Sequence, residues 1–426
     1  MINSSLPAAT LEKMAFLREN TISTTEQLLE CEYYLQNHGM MTALSVQKAV
    51  NPIVESMNAT SISLDYRLWI TKGLDPWVTK RNDILDEIQQ YLGIGMYSVQ
   101  DDNQILERAR LKGIAIESSS LRWLANHQHD DWLVELFLRK KNADLFLKRF
   151  KDELPVPNEK GISLLSGKWN GYSSFSGRIV SNHMPMAALP RAMRDYYVAP
   201  DIDGEKAVYV SFDESQIELR LLAGYSSCSR LLTQLIEGED IHRFFASKLF
   251  GVPEEAVDER MRRLSKKLVY GTLYGAGPNR LHEISRKSGL DVVTPPNELL
   301  KKLYPEMLVA LSCFRRAKVV WYGLRPTKIP TKIGDIWMSS ARKQNMSLQS
   351  AAALLLKQCL VRLPSNIRVV NIIHDELIVW CKCTNVPLVT RQVRTAYSQA
   401  ATDLRYRLPQ TNLVKVQILG GKVNEQ

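Results

Sequence analysis

Val208-Tyr-Val-Ser-Phe-Asp213-Glu-Ser-Gln-Ile-Glu218-Leu-Arg220 joins two different signatures. Its first half alternates β-branched and aromatic residues and reads as a buried strand. The strand ends on a carboxylate, Asp213. A polar stretch follows, then an apolar run (Leu219, Leu221, Leu222) that takes the spacing of a helix. A carboxylate at the mouth of a strand forms a turn, caps a helix or holds a metal ion. This stretch alone leaves all three open.

A second stretch, Arg262 to Gly275, narrows the choice. Arg262, Lys266, Tyr270 and Tyr274 are each four apart, so a helix places them along one face. A triphosphate needs cations spaced along its length, and a base needs a flat apolar surface; this face offers both. The alternative is an amphipathic helix with incidental charges. Glycine costs about 1 kcal/mol relative to alanine inside a helix. Gly271 and Gly275 therefore imply either a close approach to the backbone or the end of the helix.

The third stretch is Val369-Val-Asn-Ile-Ile-His374-Asp375-Glu376-Leu-Ile-Val-Trp380. Two β-branched runs flank His-Asp-Glu, which predicts a hairpin with an acidic turn. Asp375 is a second carboxylate at a strand end, able to meet Asp213 in a folded sheet. Two such carboxylates can bind two divalent cations about 3.5–4 Å apart, activating an attacking hydroxyl and stabilising a leaving pyrophosphate.

The remainder of the chain sets bounds. At 426 residues, with an ordinary hydrophobic fraction, it has ample material for a core and about two to four domains. A formal net charge of +10 and a pI near 9.2 favour an anionic partner, most commonly nucleic acid. The six cysteines are scattered without a CxxC pair, as suits a reducing compartment; Cys381-Lys-Cys383 lies in an apolar strand-like run. No signal peptide or membrane-spanning run is evident. The expected location is therefore the cytoplasm, with the nucleoid, or another intracellular compartment containing DNA. Helical patterns run over Leu11–Leu35 (Thr24 or Thr25 as cap), Trp77–Leu92, Leu121–Leu124 and Trp132–Phe150. The last carries Arg139, Lys140, Lys141, Lys148 and Arg149, with Lys151 beyond it. That run reads either as a solvated helix face or as a face that tracks a phosphate backbone. The glycine- and serine-rich stretch Gly171 to Ile179 reads as an irregular loop. Glu239 to Arg243 starts a further helix, and another runs from about Glu255 to Tyr274.

Taken together, the three stretches resemble motifs A, B and C of the family A (DNA polymerase I-type) DNA polymerases, in the family's order. The resemblance covers roughly residues 50 to 426 and is strongest from Ser176 onward. It implies an α+β right hand, with an antiparallel palm sheet and mostly helical fingers and thumb. Residues 1–45 would be a short N-terminal helical extension and 46–70 the start of the palm. The thumb would span 71–157, the palm with motif A 158–218, the fingers with motif B 219–340 and the palm with motif C 341–426. Asp213 and Asp375 would ligate two Mg²⁺ ions, with Mn²⁺ able to substitute, and the Glu214 carbonyl would be a further ligand. Arg262 and Lys266 would grip the triphosphate, Lys266 also acting in catalysis. His242 would touch the triphosphate, Tyr270 the sugar side of the nucleotide, and Tyr274 the templating position. Gln216 and Glu218 would line the nucleotide pocket, Glu218 barring a ribose 2′-OH. Arg178 would reach the minor groove at the primer terminus. Gln349 and His374 would contact DNA nearby, and Lys140, Lys141 and Lys148 would hold the duplex.

The implied activity is template-directed, primer-dependent DNA synthesis in a monomer acting on primer-template DNA and dNTPs. Accessory replication or repair proteins are further expected partners. The few residues ahead of the thumb lead us to expect no proofreading exonuclease domain, and a role in repair or lesion bypass. Glu214 stands where the family usually has Tyr, which adds negative charge beside the metals. Tyr270 stands where many members have Phe. The surroundings of Gln349 lack the usual Pro and Gly, and Ser181–Pro190 diverges. Two rivals remain: a single-subunit RNA polymerase, against which Glu218 argues, and a catalytically silent DNA-binding scaffold, against which the paired carboxylates argue.

Overall fold

The computed structural model describes residues 6–15, 22–128, 131–182, 184, 186–333 and 336–421. Among these the chain divides into two compact units. The first comprises Met1–Thr60, Ser166–Ala187 and Asp201–Ile418; the second comprises Ser61–Leu165, Ala188–Pro200 and Leu419–Gln426. The fold is α+β, with helices predominating and small antiparallel sheets.

The first unit is built on helix α1 (Met41–Met57), strand β1 (Ala207–Glu214), helices α2 (Ile217–Ser226), α3 (Ile241–Phe250), α4 (Glu259–Leu273) and α5 (Ser340–Arg362), strands β2 (Arg368–Ile373) and β3 (Glu376–Lys382), helix α6 (Val386–Asp403) and strand β4 (Val414–Ile418). The strands form one antiparallel sheet in the order β2-β3-β1-β4. Strand β1 is central and buried along almost its whole length, as its β-branched and aromatic run requires. Helix α5 is buried nearly all round from Met346 to Leu360 and packs against both α1 and α6.

The predicted Leu11–Leu35 helix is two helices, Ala8–Met14 and Thr25–Leu35; residues 16–21 between them lie outside the described residues. Thr24 is the cap of the second, closing a reciprocal capping box with Gln27. The expected boundary at residue 45 falls inside α1, which follows Gly39 (φ +86°). Within Ser181–Pro190, His183 and Pro185 lie outside the described residues.

In the second unit, helices Asp75–Leu92, Asp102–Leu111, Leu121–His127 and Trp132–Leu147 enclose a core that includes Ile84, Ile88, Ile105, Leu133 and Phe137. Here the cationic run needs correction. Lys140 is not on a solvated face: it is 2% exposed, its amine paired with Asp102 at 2.9 Å and Asp144 at 3.0 Å. Lys141 is half-buried and bound to Asp102 at 2.5 Å. A helix turns about 100° per residue, so five cations within a dozen positions cannot share one face. Lys148, Arg149 and Lys151 are the exposed remainder. No helix among the described residues is long and apolar enough to cross a membrane.

Candidate active site

Strand pairing brings the two strand-end aspartates to one place. Register sets Glu376 of β3 opposite Asp213 of β1, so the His374–Asp375 turn sits at the same end of the sheet as Asp213. The Glu214 N–H donates to the Asp375 carbonyl at 3.1 Å. His374 takes φ +55°, the left-handed geometry of a tight hairpin turn. Burial raises the Asp375 carboxyl above its ordinary value; Arg178 and His374 oppose this, and Asp213 adds to it. The aspartates therefore repel each other, and the Arg178 charge partly offsets this.

Glu214 is buried, and among the described residues neither carboxylate oxygen has a hydrogen-bond partner. The Tyr397 hydroxyl of α6 approaches it without ordinary hydrogen-bond geometry. Burial, then the Asp375 charge, holds its carboxyl well above the ordinary value.

Past Glu214 the chain turns through Gln216, at φ +56°, into α2. Gln216 places its Oε1 in the interior without a partner. Glu218, in the first turn of α2, is 5% exposed. It accepts from the Tyr274 hydroxyl at 2.8 Å and from Arg178 at 3.3 Å. Burial raises its carboxyl, while the Tyr274 hydrogen bond and Arg178 hold it down.

Helices α3 and α4 supply the opposite wall. Asp240 caps α3 through the N–H groups of His242 and Arg243, and its second oxygen accepts from Arg262 at 2.7 Å. The Ser265 hydroxyl donates to the His242 carbonyl at 2.7 Å, tying α4 to α3. His242 is buried, with neither ring nitrogen hydrogen-bonded among the described residues, and burial lowers its pKa to about 4. Its ring lies 5.6 Å from that of Tyr270, and the Lys266 amine lies 5.8 Å from the Tyr270 ring.

Helix α4 ends at Leu273, with Tyr274 as its cap. Of the two readings of the glycines, the helix end is correct. Gly275 takes φ +91°, and a Cβ there would stand 2.8 Å from the Ala341 backbone, so the close neighbour is the chain's own α5. Gln344 donates to the Thr272 and Leu273 carbonyls left open by the helix end.

One cleft of about 720 Å³ gathers these groups. It is lined by Arg178, Asp213, Glu214, Gln216, Glu218, His242, Arg262, Lys266, Tyr270, Tyr274, His374 and Asp375, all within the first unit. Gln349 lies half-buried on α5, outside this lining, and Lys140, Lys141 and Lys148 belong to the second unit. Sequence reasoning missed Lys415, Arg263 and Lys267, which also line the cleft. Arg263 and Lys267 neighbour the assigned cations in sequence. Lys415 had no such signal: it faces Asp213 only through the pairing of β4 with β1.

Comparison with known proteins agrees with this arrangement. Residues 92–291 match the sequence model of DNA polymerase family A, a span that includes Asp213 and α4 and stops short of Asp375. The chain is similar to DNA polymerase I of Chloroflexus aurantiacus, 28% identical over 281 residues, covering 59% of this chain and 29% of that protein. It is similar to the thermostable DNA polymerase I of Thermus aquaticus, 28% identical over 265 residues, covering 58% of this chain and 31% of that protein. The chain therefore spans under a third of the length of these two relatives. Its fold matches the polymerase domain of Pol1 from M. smegmatis, solved with DNA primer-template and dNTP. That match has a TM-score of 0.70 at 18% identity, covering 93% of this chain and 74% of that one. Family model, relatives and fold point the same way: residues 92–291 match DNA polymerase family A, and the chain has the fold of a polymerase domain.

Proposed function

We propose that this chain catalyses template-directed, primer-dependent DNA synthesis, transferring deoxynucleotides from dNTPs to a primer 3′-hydroxyl. One observation carries the reading: Asp213 and Asp375 share one end of the sheet and open into the same cleft as the cationic helix α4. Binding DNA alone requires no paired carboxylates in the cleft, where their charge would repel the phosphate backbone.

The donor set fits hard divalent cations. It is made of oxygen ligands, two carboxylates brought to one end of the sheet in one cleft. Asp213 and Asp375 would hold two Mg²⁺ ions, or Mn²⁺, with the Glu214 carbonyl assisting. Bound there, such ions activate the primer hydroxyl and neutralise charge on the leaving pyrophosphate.

The rest is positioning by the protein. Arg262 and Lys266 hold the triphosphate, with Arg263 and Lys267 adding to the field. His242, neutral at working pH, offers a ring N–H to a phosphate oxygen. As the primer oxygen bonds to the α-phosphorus and the bridging P–O bond breaks, Lys266 is placed to give a proton to the departing pyrophosphate. Tyr270 forms a wall for the sugar. Glu218, braced by Tyr274 and Arg178, occupies the space a 2′-hydroxyl would need, which favours DNA over RNA synthesis. Arg178 contacts the minor groove at the primer end. The exposed Lys148, Arg149 and Lys151 make the second unit the duplex-holding thumb.

Primer extension on a defined template, with dNTPs or NTPs, tests this. Wild type should extend with dNTPs, and Asp213→Asn should lose on the order of 10³-fold or more, as removal of transition-state charge stabilisation does. Undiminished extension by the variant refutes the mechanism. Robust use of NTPs favours an RNA polymerase, and DNA binding without extension favours a scaffold.

A further inference from the structure

Lys357, in the middle of α5, takes no part in the chemistry above. It is 2% exposed, and among the described residues no carboxylate pairs with it. Its amine donates to Gln47 Oε1 of α1 at 2.5 Å and stands 4.6 Å from the centre of the Tyr172 ring. Burial pushes that amine well below the ordinary lysine range. A buried lysine without a counter-charge is expensive where Leu or Met would pack without that cost. Its surroundings show what it holds.

Above it lies the loop from Gly171 to Arg178, which contains no strand or helix. The loop's own bonds include Ser173 N–H to the Arg178 carbonyl at 3.0 Å, Gly177 N–H to the Ser174 carbonyl at 2.8 Å, the Tyr172 hydroxyl to the Phe175 carbonyl at 3.3 Å, and the paired Ser174 and Ser176 hydroxyls at 2.8 Å. Both glycines rest on the same buried group. A Cβ on Gly171 would lie 2.8 Å from Gln47 Nε2. One on Gly177, at φ +79°, would lie 2.3 Å from the Tyr322 hydroxyl and 3.3 Å from Lys357 Nζ. The Tyr322 hydroxyl also reaches the Ser176 carbonyl at 3.4 Å. The loop thus ends on Arg178 in the cleft while its underside is gripped by side chains from three distant stretches.

We infer that Lys357 is a positioning residue: with Gln47 and Tyr322 it forms a buried polar seat that fixes the Gly171–Arg178 loop and so sets where Arg178 meets the primer end. The last link rests on the reading of Arg178 given above; the seat itself rests on packing. Methionine at 357 would fill the volume and remove the donor, leaving Gln47 unmet.

The test uses the full chain with Lys357→Met, Gln47→Leu and Arg178→Ala. Hydrogen exchange reads the loop amides against those of β1 and β3. Single-turnover extension compares primers ending in an ordinary purine with primers ending in its 3-deaza analogue, which lacks the minor-groove nitrogen. In Lys357→Met, loop amides should exchange on the order of tenfold faster, as loss of one buried hydrogen bond allows, while the strands hold. The extension rate should fall by a similar factor, with KM for dNTP within about twofold. The 3-deaza penalty, abolished by Arg178→Ala, should shrink in Lys357→Met, and Gln47→Leu should act alike. Unchanged loop exchange overturns the seat. Equal acceleration in loop and strands reduces Lys357 to general packing and overturns it too. A faster loop with a full 3-deaza penalty, or a wild type with none, overturns the link to the primer while the seat stands.

Discussion

Lowering the pH should destabilise this protein through His242, by an amount that follows from its surroundings. The imidazole is 3% exposed, and among the described residues neither nitrogen is hydrogen-bonded. Burial, with the Lys266 and Arg262 charges, lowers its pKa from 6.5 to about 4 against the opposing Asp240. In the unfolded chain the ring takes up a proton near pH 6.5, whereas in the folded chain it resists until about pH 4. Between those values the unfolded state binds more protons, so stability falls as pH falls. The contribution is complete above about 6.5 and lost towards 4. At about 1.4 kcal/mol per unit, the gap from 6.5 to about 4 amounts to about 3 kcal/mol. His242→Gln removes the titrating group and keeps a polar side chain. Urea unfolding of both proteins from pH 4 to 8 gives the difference directly. Wild type should lose about 3 kcal/mol relative to the variant on acidification. A pH-independent difference would show that the ring is not held neutral by burial, and would undercut its role as a neutral donor to phosphate.

Three further outcomes are expected. Asp240→Asn keeps an N-cap side chain for α3 but releases Arg262; with both partners about a third exposed (32% and 34%), the pair is worth at most about 1 kcal/mol. KM for dNTP should therefore fall by up to about fivefold with kcat unchanged, and a rise in KM would contradict competition between Asp240 and the triphosphate for Arg262. Glu218→Ala vacates the space beside the sugar, so the ratio of dNTP to NTP efficiency in primer extension should drop by about 10- to 100-fold; an unchanged ratio would remove Glu218 from sugar selection. Gly275→Ala forces a side chain into φ +91° with its Cβ 2.8 Å from Ala341 Cα, whereas a Cβ at Gly271 meets nothing nearer than 3.4 Å. The first substitution should cost about 2 kcal/mol or more in thermal unfolding and the second less than about 1, and equal costs would contradict the helix-end role of Gly275.

Local geometry was legible in the chain because backbone periods are short. Alternation over Val208–Phe212 defined a strand, and β1 runs Ala207–Glu214. Spacing by four set Arg262, Lys266 and Tyr270 along α4, which begins four residues later than expected because Asp258 caps it. The β-branched runs around His374–Glu376 defined a hairpin whose turn is His374–Asp375. Residue type carried the rest: paired carboxylates and aligned cations belong to phosphoryl transfer in any fold.

Interactions between residues far apart in the chain, and burial, were decided only by the tertiary structure. That Asp213 lies opposite Glu376, and Lys415 opposite Asp213, depends on strand register, which long-range packing selects. Lys140 and Lys148 lie in the same cationic run, yet the first is sealed among Asp102 and Asp144 and the second is 66% exposed. Glu214 reads in sequence as a charge; burial and the neighbouring Asp375 charge push its carboxyl well above the ordinary value. Lys357 reads as one more cation of a basic protein, and only the packing of α1, α5 and the Gly171–Arg178 loop shows that it faces inward. A side chain's charge and function depend on the water and dipoles around it, and that environment exists only once the chain has folded.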